Sequence, residues 1–264
     1  MNLKYTFLTV LTSLSIVLSA QVTSFNFNNE KQKDWSLSFT PYALLAAQST
    51  DVGGQSIRQS FDDLASITNA GFQFVSTLRY KRLSLSVDGT FATLGTDERQ
   101  GPATIDLRVK QNIIDLSLGY VIYSTFSKDT DNIAKGWSIE GTLGAKSWVN
   151  DLTIDLSIDF DQLDEPFTRR INESQNWWDL MLGVRTNISL SNKVLLGARL
   201  SVGGFGLGNA SDFSYDFVYL NVFKVLDYMT INAGFRNFNY QRSDDGVDTS
   251  VNVLGPLLGV SFFI

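Results

Sequence analysis

Eight charged residues occupy alternate positions in segments that are otherwise rich in Gly, Ser and Thr. Carboxylates can act as general acids or bases, and carboxylates with guanidinium or ammonium groups form charge-assisted hydrogen bonds. No spacing singles out one catalytic pair, so we interpret the eight together, as a buried polar network or as the lining of a pore. They are Asp88, Asp115, Glu140, Lys146, Asp179, Arg185, Arg199 and Arg236.

The composition removes several other kinds of chemistry. The 264 residues include no Cys and no His, which excludes nucleophilic triads with an imidazole, His-ligated zinc, thiolate chemistry and disulfides. Chemistry by carboxylates, Lys, Tyr or Ser stays open. The formal net charge of −6 argues against a nucleic-acid partner. We predict no cofactor and no metal site.

Two motifs look like binding sites at first reading. GGFGLG at 203–208 resembles a phosphate-binding loop, but the residues after it alternate as a strand, whereas a dinucleotide fingerprint needs a helix there. We interpret these glycines as a tight bend at a strand end. The carboxylates of DFDQLDE lack EF-hand spacing and are interpreted as a solvated acidic loop: Asp159, Asp161, Asp164 and Glu165.

The first 20 residues have the layout of a secretory signal peptide. Lys4 precedes an apolar stretch from Phe7 to Leu18, and small residues lead to a predicted cleavage after Ala20. A membrane anchor is the alternative, but the apolar run is shorter than the ~20 residues of a spanning helix. Residues 21–33 are predicted to be a short polar leader, and residues 34–264 a single domain.

The rest of the chain alternates apolar and polar residues as consecutive β-strands do. One face carries large aliphatic residues with Trp and Tyr near strand ends, and the other carries Gly, Ser, Thr and isolated charges. A mostly short and a mostly longer set of connections alternate, as do the periplasmic turns and outer loops of outer-membrane barrels. In lipid, strands must close into a barrel so that every backbone group is hydrogen-bonded. The alternative is a soluble periplasmic sandwich. We predict an all-β fold, a single antiparallel up-and-down transmembrane β-barrel, with ten strands at 34–47, 70–79, 83–94, 105–124, 136–160, 177–190, 194–205, 213–223, 229–241 and 249–264.

Two of these strands change phase. Apolar positions move from odd to even numbers between Val109 and Ile114, and again between Leu143 and Leu152. Such a slip reverses the two faces unless a bulge absorbs it. Each segment is therefore either one long bulged strand that projects beyond the membrane or an unrecognised hairpin, and splitting both segments would give twelve strands. Eight and twelve strands are the alternatives to ten. The first outer loop, 48–69, is predicted to hold a short amphipathic helix that packs on the barrel mouth.

Several stretches resemble a broad family of largely uncharacterised outer-membrane β-barrel proteins of Gram-negative bacteria. They are LGAKSW at 143–148, WDLMLGVR at 178–185, LSVGGFGLG at 200–208, INAGFRNFNY at 231–240 and LGPLLGVSFFI at 254–264. The resemblance implies a closed barrel in the outer membrane and implies no activity. It also implies that Phe262, Phe263 and Ile264 form the signal that the barrel-assembly machinery reads.

These observations predict a barrel that is structural or that recognises a partner through its outer loops. Because ~8 strands are just filled by side chains, we expect the charged residues to fill the lumen of ten strands. The alternative is a narrow, porin-like channel for small solutes or ions, and the third is a lipid- or ligand-handling enzyme. Since His is missing, we expect no enzyme. The expected partners are outer-membrane lipid, periplasmic chaperones and the assembly machinery, and we expect a monomer.

Overall fold

The structure, a computed structural model, describes residues 34–100, 103–126, 136–158, 167–244 and 246–264. The predicted signal peptide and leader and the acidic cluster at 159–165 lie outside these residues. The described residues form twelve strands and one helix: β1 (Trp35–Leu44), β2 (Ala47–Val52), β3 (Gln55–Gln59), α1 (Phe61–Ile67), β4 (Thr68–Tyr80), β5 (Leu83–Gln100), β6 (Ala103–Ser124), β7 (Gly136–Ile158), β8 (Phe167–Ser191), β9 (Val194–Gly204), β10 (Phe213–Leu226), β11 (Met229–Asp244) and β12 (Val247–Phe263).

Ten of the strands close into an antiparallel barrel, which confirms the predicted fold and strand count. β1 pairs with β4, each later strand pairs with the next, and β12 pairs back onto β1 with Phe39 opposite Phe262. Both ends of the barrel chain lie at one end of the molecule, together with the short turns after β4, β8 and β10. We call this the lower end and the opposite end the upper end.

The two remaining strands, β2 and β3, form a hairpin inside the segment predicted as the first outer loop. β2 adds to the upper part of β12, and β3 pairs with β2. Gly53 and Gly54 make the turn with φ values of 55° and 84°, the positive angles that a two-residue hairpin turn demands. The prediction missed this hairpin because its polar strands show no apolar alternation.

The alternation of the strands separates the two sides of the barrel wall. In β12, Leu254, Leu258 and Phe262 are exposed on the outside, whereas Leu257 and Ser261 are buried on the inside. The exposed side chains of the neighbouring strands continue this apolar surface around the barrel. A soluble protein rarely exposes so large an apolar surface, so this band is the surface that meets lipid.

β6 and β7 are single long strands, and the predicted bulge at their change of phase is wrong. They pair without a register shift from Ala103 opposite Ile158 to Val121 opposite Glu140, so no hairpin is hidden there either. The phase changes because the surroundings change. Ile114 is 38% exposed on the outside, whereas its neighbour Ile113 is 4% exposed on the inside. Above this level water replaces lipid outside the wall, and the apolar residues face inward.

An aromatic core fills the upper part of the lumen. Trp148 is fully buried, and its ring lies 6.0 Å from Trp177, 6.0 Å from Phe238 and 4.9 Å from Tyr240, measured between centroids. Aliphatic side chains from β6 and β12 complete the cluster: Ile113, Val251 and Val253. This part of the barrel is therefore packed like a protein interior.

Helix α1 begins with a capping box. The Ser60 hydroxyl accepts from the backbone N–H of Asp63, and the Asp63 carboxylate accepts from the backbone N–H of Ser60. These reciprocal bonds satisfy amide groups that a helix start leaves open. The predicted helix in the loop 48–69 is thus present. Among the described residues, no helix is both long enough and apolar enough to cross a membrane.

Candidate lumen site

A group of buried ion pairs is centred on Asp216 of β10. Asp216 Oδ2 lies 2.6 Å from Lys146 Nζ on β7 and 2.7 Å from Arg236 Nη2 on β11. Arg199 of β9 donates to the same oxygen at 3.4 Å. Asp216 has no exposed surface, and a buried charge is costly unless it is paired. The three cations compensate for the water that this carboxylate has lost.

Asp88 of β5 extends the ion pairs across the barrel. β5 and β10 lie five places apart in the ring of ten strands, which puts them on opposite sides. Asp88 Oδ2 lies 3.1 Å from Arg199 Nη2 and 3.2 Å from Arg236 Nη2. Both arginines therefore bridge the carboxylates of Asp88 and Asp216, and the network spans the width of the lumen.

Tyr42 of β1 closes the same layer. Its hydroxyl donates to Asp88 Oδ1 at 2.8 Å and accepts a hydrogen bond from Arg236 Nη1. Each strand positions its side chain here by period-two alternation, which aims every second residue at the lumen. We call the layer formed by Tyr42, Asp88, Arg199, Asp216 and Arg236 the septum.

A second group of ion pairs surrounds Glu140 of β7. Glu140 Oε1 lies 3.0 Å from Arg185 Nη1, and its Oε2 lies 2.9 Å from Arg79 Nη2. Ser84 donates to Oε1 at 2.5 Å. The carboxylate thus joins β4, β5 and β8 and holds two guanidinium groups side by side.

Asp115 and Asp179 connect these groups to their surroundings. Asp115 lies 3.5 Å from Lys146 Nζ. Asp179 accepts from Trp148 Nε1 at 2.9 Å and from the Ser211 backbone N–H at 2.8 Å. Asp179 therefore anchors the aromatic core and the chain before β10 through neutral donors.

The structure places all eight sequence-predicted site residues on the inner face of the wall. It brings every one of them except Asp179 into the ion pairs described above. Sequence reasoning missed Tyr42, Arg79 and Asp216. Asp216 alternates with Tyr215 and Phe217 in β10, so the same period-two pattern marks it as lumen-facing. Tyr42 carries no such signal, because tyrosine fits the lipid-facing set equally well.

The charges of the lumen balance. Among the described residues, the two groups of ion pairs together with Asp179 contain five carboxylates and five cations: Asp88, Asp115, Glu140, Asp179 and Asp216, with Arg79, Lys146, Arg185, Arg199 and Arg236. A pore that selects ions concentrates one sign of charge along its wall. The balanced set carries no net field of either sign.

Two cavities lie on either side of the septum. The lower cavity, of about 230 Å³, is bordered by Arg79, Arg185 and the septum, and it has apolar walls that include Leu220 and Phe263. The upper cavity, of about 470 Å³, lies between the lumen, β4 and α1. Tyr42 lines both cavities. Its side chain is therefore part of the partition between them.

The described residues contain no group of three or more carboxylates placed to hold a metal ion. The acidic cluster at 159–165, which the sequence offered as the nearest candidate, lies outside them. The ion pairs of the lumen direct each carboxylate toward cationic or neutral donors of the protein itself. The chemistry that this arrangement performs is charge neutralisation across the barrel.

The three residues predicted as the assembly signal end the closing strand. Phe262 is exposed on the lipid side and pairs with Phe39 and Met229. Phe263 faces inward and lines the lower cavity. The backbone N–H of Ile264 donates to the carbonyl of Leu37 at 3.0 Å, so the last residue is held against β1.

Comparison with solved structures finds similar proteins. The outer membrane protease OmpT from Escherichia coli superposes with a TM-score of 0.56 over 90% of this chain and 100% of that chain, at 10% sequence identity. Ail, the attachment invasion locus protein of Yersinia pestis in complex with the heparin analogue sucrose octasulfate, gives a TM-score of 0.36 at 12% identity, over 87% and 97% of the two chains. No protein-family model matches the chain, and no curated protein matches its sequence. The likeness to OmpT confirms, for the fold, the predicted resemblance to outer-membrane β-barrel proteins.

This comparison corrects the expectation that the chain is not an enzyme. OmpT, which shares the fold, is a protease, so a barrel of this architecture is compatible with catalysis. The physical reason for the error is that the absence of His excludes only mechanisms that need an imidazole. Mechanisms that rest on carboxylates remain available to a chain of this composition.

Proposed function

We propose that this chain is an outer-membrane barrel that keeps its lumen closed and recognises a partner at the cell surface. The septum is the observation that carries the first half of the proposal. Its side chains come from β1, β5, β9, β10 and β11 and are joined by direct hydrogen bonds. These hydrogen bonds connect opposite sides of the barrel at one level, which supports a closed lumen.

The energetics of burial favour the closed arrangement. In the wild type, a continuous water path requires Arg199 and Arg236 to separate from Asp88 or Asp216, or the Tyr42 ring to leave its place between the two cavities. Leaving one partner of a buried ion pair without the other costs about 3–5 kcal/mol. The septum therefore stays closed unless a ligand or a partner supplies a comparable free energy.

The upper parts of β6, β7 and β8 support the second half of the proposal. These strands have 22, 23 and 25 residues, about twice the ~9–11 residues that cross a membrane. The residues beyond the membrane-crossing part form a sheet above the lipid. A binding site on strands is held in a more precise geometry than one on loops. Its outer face is polar: Arg170 binds both carboxylate oxygens of Asp155, and these hydrogen bonds hold the pKa of Asp155 below its ordinary value.

The route to the membrane belongs to the same proposal. Export through a signal peptide that is cleaved after Ala20 leads to the outer membrane. Periplasmic chaperones accompany the chain, and the barrel-assembly machinery then reads Phe262, Phe263 and Ile264. The ten strands form a complete ring within one chain, with β12 paired back onto β1, which supports function as a monomer in outer-membrane lipid.

A narrow channel for small solutes or ions is the second candidate. The two cavities favour it, because Tyr42 lines both of them and the septum is a single layer of side chains. Swelling of liposomes that contain the purified protein distinguishes the two candidates. A closed lumen predicts no swelling in small sugars beyond that of protein-free liposomes, whereas rapid swelling overturns the closed lumen.

Recognition is tested by shortening the sheet above the membrane. Asp151 and Ser174 are opposite each other in the register of β7 and β8, so residues 152–173 can be replaced by Asn-Gly, a dipeptide suited to a two-residue hairpin turn. Liposomes with each protein are applied to arrays of glycans and extracellular proteins. Binding that only the full-length protein shows supports the proposal. Equal binding by both proteins, or no binding by either, contradicts it.

A further inference from the structure

The barrel wall has a gap between β1 and β4. The pairing of these strands runs from Trp35 opposite Tyr80 to Tyr42 opposite Gln73 and ends there. Above this point β4 continues to pair with β5 on one side, as far as Thr68 opposite Leu94. On its other side, the segment 68–72 has no paired strand among the described residues. The chain instead leaves β1 and forms the β2–β3 hairpin and α1.

The upper cavity passes through the wall at this gap. Successive residues of a strand face opposite sides of a sheet. Phe91 of β5 faces outward and Ala92 inward, yet both line the cavity. The lining includes Phe72, which is 52% exposed on the outer surface, and also Phe238, which is buried in the aromatic core of the lumen. One space therefore joins the outside of the barrel to its upper lumen.

Aromatic rings line the outer side of the gap at the edge of the lipid-facing band. Phe74 lies between Phe39, Phe72 and Phe91, with ring centroids 5.7, 5.6 and 6.5 Å away. Aromatic residues collect at the two interfaces of a membrane barrel, and the next outward residue of β5 above Phe91 is the polar Thr93. The opening thus lies at the height where acyl chains meet the upper interface.

Helix α1 covers the opening from above. Phe61, Leu64 and Ala65 line the cavity, and Leu64 is only 8% exposed. The capping box between Ser60 and Asp63 fixes the start of the helix. The apolar side of α1 is therefore turned to the cavity and its polar residues to solvent.

The lining selects for an apolar guest. Among the described residues, no charged side chain lines the upper cavity; its polar members are Gln48, Gln73, Gln111, Thr68, Thr90 and Tyr42. The lower cavity, by contrast, is bordered by arginines. A volume of about 470 Å³ is within the range of pockets that hold small ligands, roughly 300–1,000 Å³.

We propose that this opening binds one acyl chain of a membrane lipid, which enters sideways between β1 and β4 beneath α1. The chain passes Phe72 and Phe91 and ends against Phe238 and Val253, while the lipid headgroup stays at the interface outside. Continuity of the cavity with the lipid-facing surface identifies the source of the chain. The lining has no charged side chain among the described residues, and Phe72, Phe91, Phe238 and Val253 give a hydrocarbon chain apolar contacts along its path.

Photolabelling of the reconstituted full chain tests this site. The probe is phosphatidylcholine with a diazirine near the end of one acyl chain, and labelled residues are located by mass spectrometry. We expect label on the inward-facing Ala92, Leu94, Phe238 or Val253 in addition to outward-facing residues. Label confined to outward-facing residues overturns the proposal, because ordinary contact with surrounding lipid accounts for it.

A matched pair of variants sharpens the test. Ala92→Phe fills the upper cavity, and Val218→Phe places the same ring in the lower one, since Val218 lines only that cavity. Heat-modifiable migration on gels verifies that both variants fold. We expect Ala92→Phe to reduce the label on inward residues at least tenfold and Val218→Phe to leave it unchanged. Equal labelling of the two variants contradicts the proposal.

Discussion

At the residue scale, Asp216 is the carboxylate that pairs with three buried cations of the lumen. It contacts Lys146, Arg199 and Arg236 and has no exposed surface. Asp216→Ala leaves these buried cations with one fewer counter-charge. We expect the free energy of unfolding to fall by about 3–5 kcal/mol, measured by urea unfolding of the protein in lipid vesicles.

Asp155→Ala is the control for this variant. It removes the carboxylate of an ion pair as well, but Asp155 and Arg170 lie in water above the membrane. Exposed ion pairs add little to stability, so we expect no measurable change. An Asp216→Ala barrel as stable as the Asp155→Ala barrel would contradict the importance of the septum for stability.

Asp63 makes the start of α1 sensitive to acid. Hydrogen bonds from the hydroxyl and the backbone N–H of Ser60 hold the pKa of Asp63 below its ordinary value. A carboxyl whose pKa is lower in the folded state stabilises that state above its unfolded pKa, and this stabilisation is lost as pH falls through the folded pKa. We expect the protection of the amides at 60–67 against hydrogen exchange, relative to their intrinsic rates at each pH, to fall from pH 6 to pH 3 more in the wild type than in Asp63→Asn. The same fall in protection from pH 6 to pH 3 in both proteins would show that the cap is not the cause.

The individual site residues show where sequence reasoning stops. Alternation alone was enough to place Asp88, Asp179 and Arg199 on the inner face, because polar side chains avoid lipid. It could not pair them, since partners such as Asp88 and Arg236 are 148 positions apart and meet only through closure of the barrel. Alternation also could not predict the partners of Asp179, which are the indole N–H of Trp148 and the backbone N–H of Ser211.

At the scale of elements, β6 crosses the upper boundary of the membrane, and its outward-facing residues lie at different depths. Leu118 faces lipid near the middle of the apolar band, whereas Asn112 lies on the same face near its upper edge. A Lys facing lipid costs about 2–4 kcal/mol at the midplane and about 0–1 kcal/mol near an interface. We expect Leu118→Lys to lower the unfolding free energy by the larger amount and Asn112→Lys by the smaller, in the same vesicles. Similar losses in both variants would place the boundary elsewhere.

The closing strand makes a prediction about assembly. Ile264 directly follows β12, is held to Leu37 by its backbone, and continues the alternation that exposes Phe262 and Leu258 to lipid. Ile264→Asp puts a carboxylate where lipid and the assembly machinery meet the strand. We expect the fraction of protein in the outer membrane of expressing cells to fall severalfold. Lys193→Asp, in a lower turn, is the control that should leave it unchanged. Normal insertion of Ile264→Asp would contradict the proposed role of the last residues.

The ten barrel strands were predictable because each is long and carries its own alternation. The β2–β3 hairpin was not, since its residues face water and carry no apolar pattern. The inversion of β6 and β7 looked like a bulge for a related reason. A sequence shows which residues share a face, whereas the environment of that face, lipid below Ile113 and water above it, depends on how the strand crosses the membrane.

At the scale of the whole molecule, the septum, the aromatic core and the gap beside α1 divide the barrel into distinct zones. In the proposed arrangement the septum and the core block the axis, and the gap opens the wall sideways to lipid. The fold is one that also carries a protease, so architecture alone assigns no activity to this chain. In this chain the charged side chains of the lumen pair with one another across the barrel.

Single-channel recording in planar bilayers tests the closed lumen most directly. Tyr42 lines both cavities and holds Asp88 and Arg236 together, so Tyr42→Ala joins the cavities, whereas Tyr42→Phe keeps the ring in place. We predict no conductance steps from the wild type or from Tyr42→Phe, and steady steps from Tyr42→Ala. Steady steps from the wild-type protein would contradict the account.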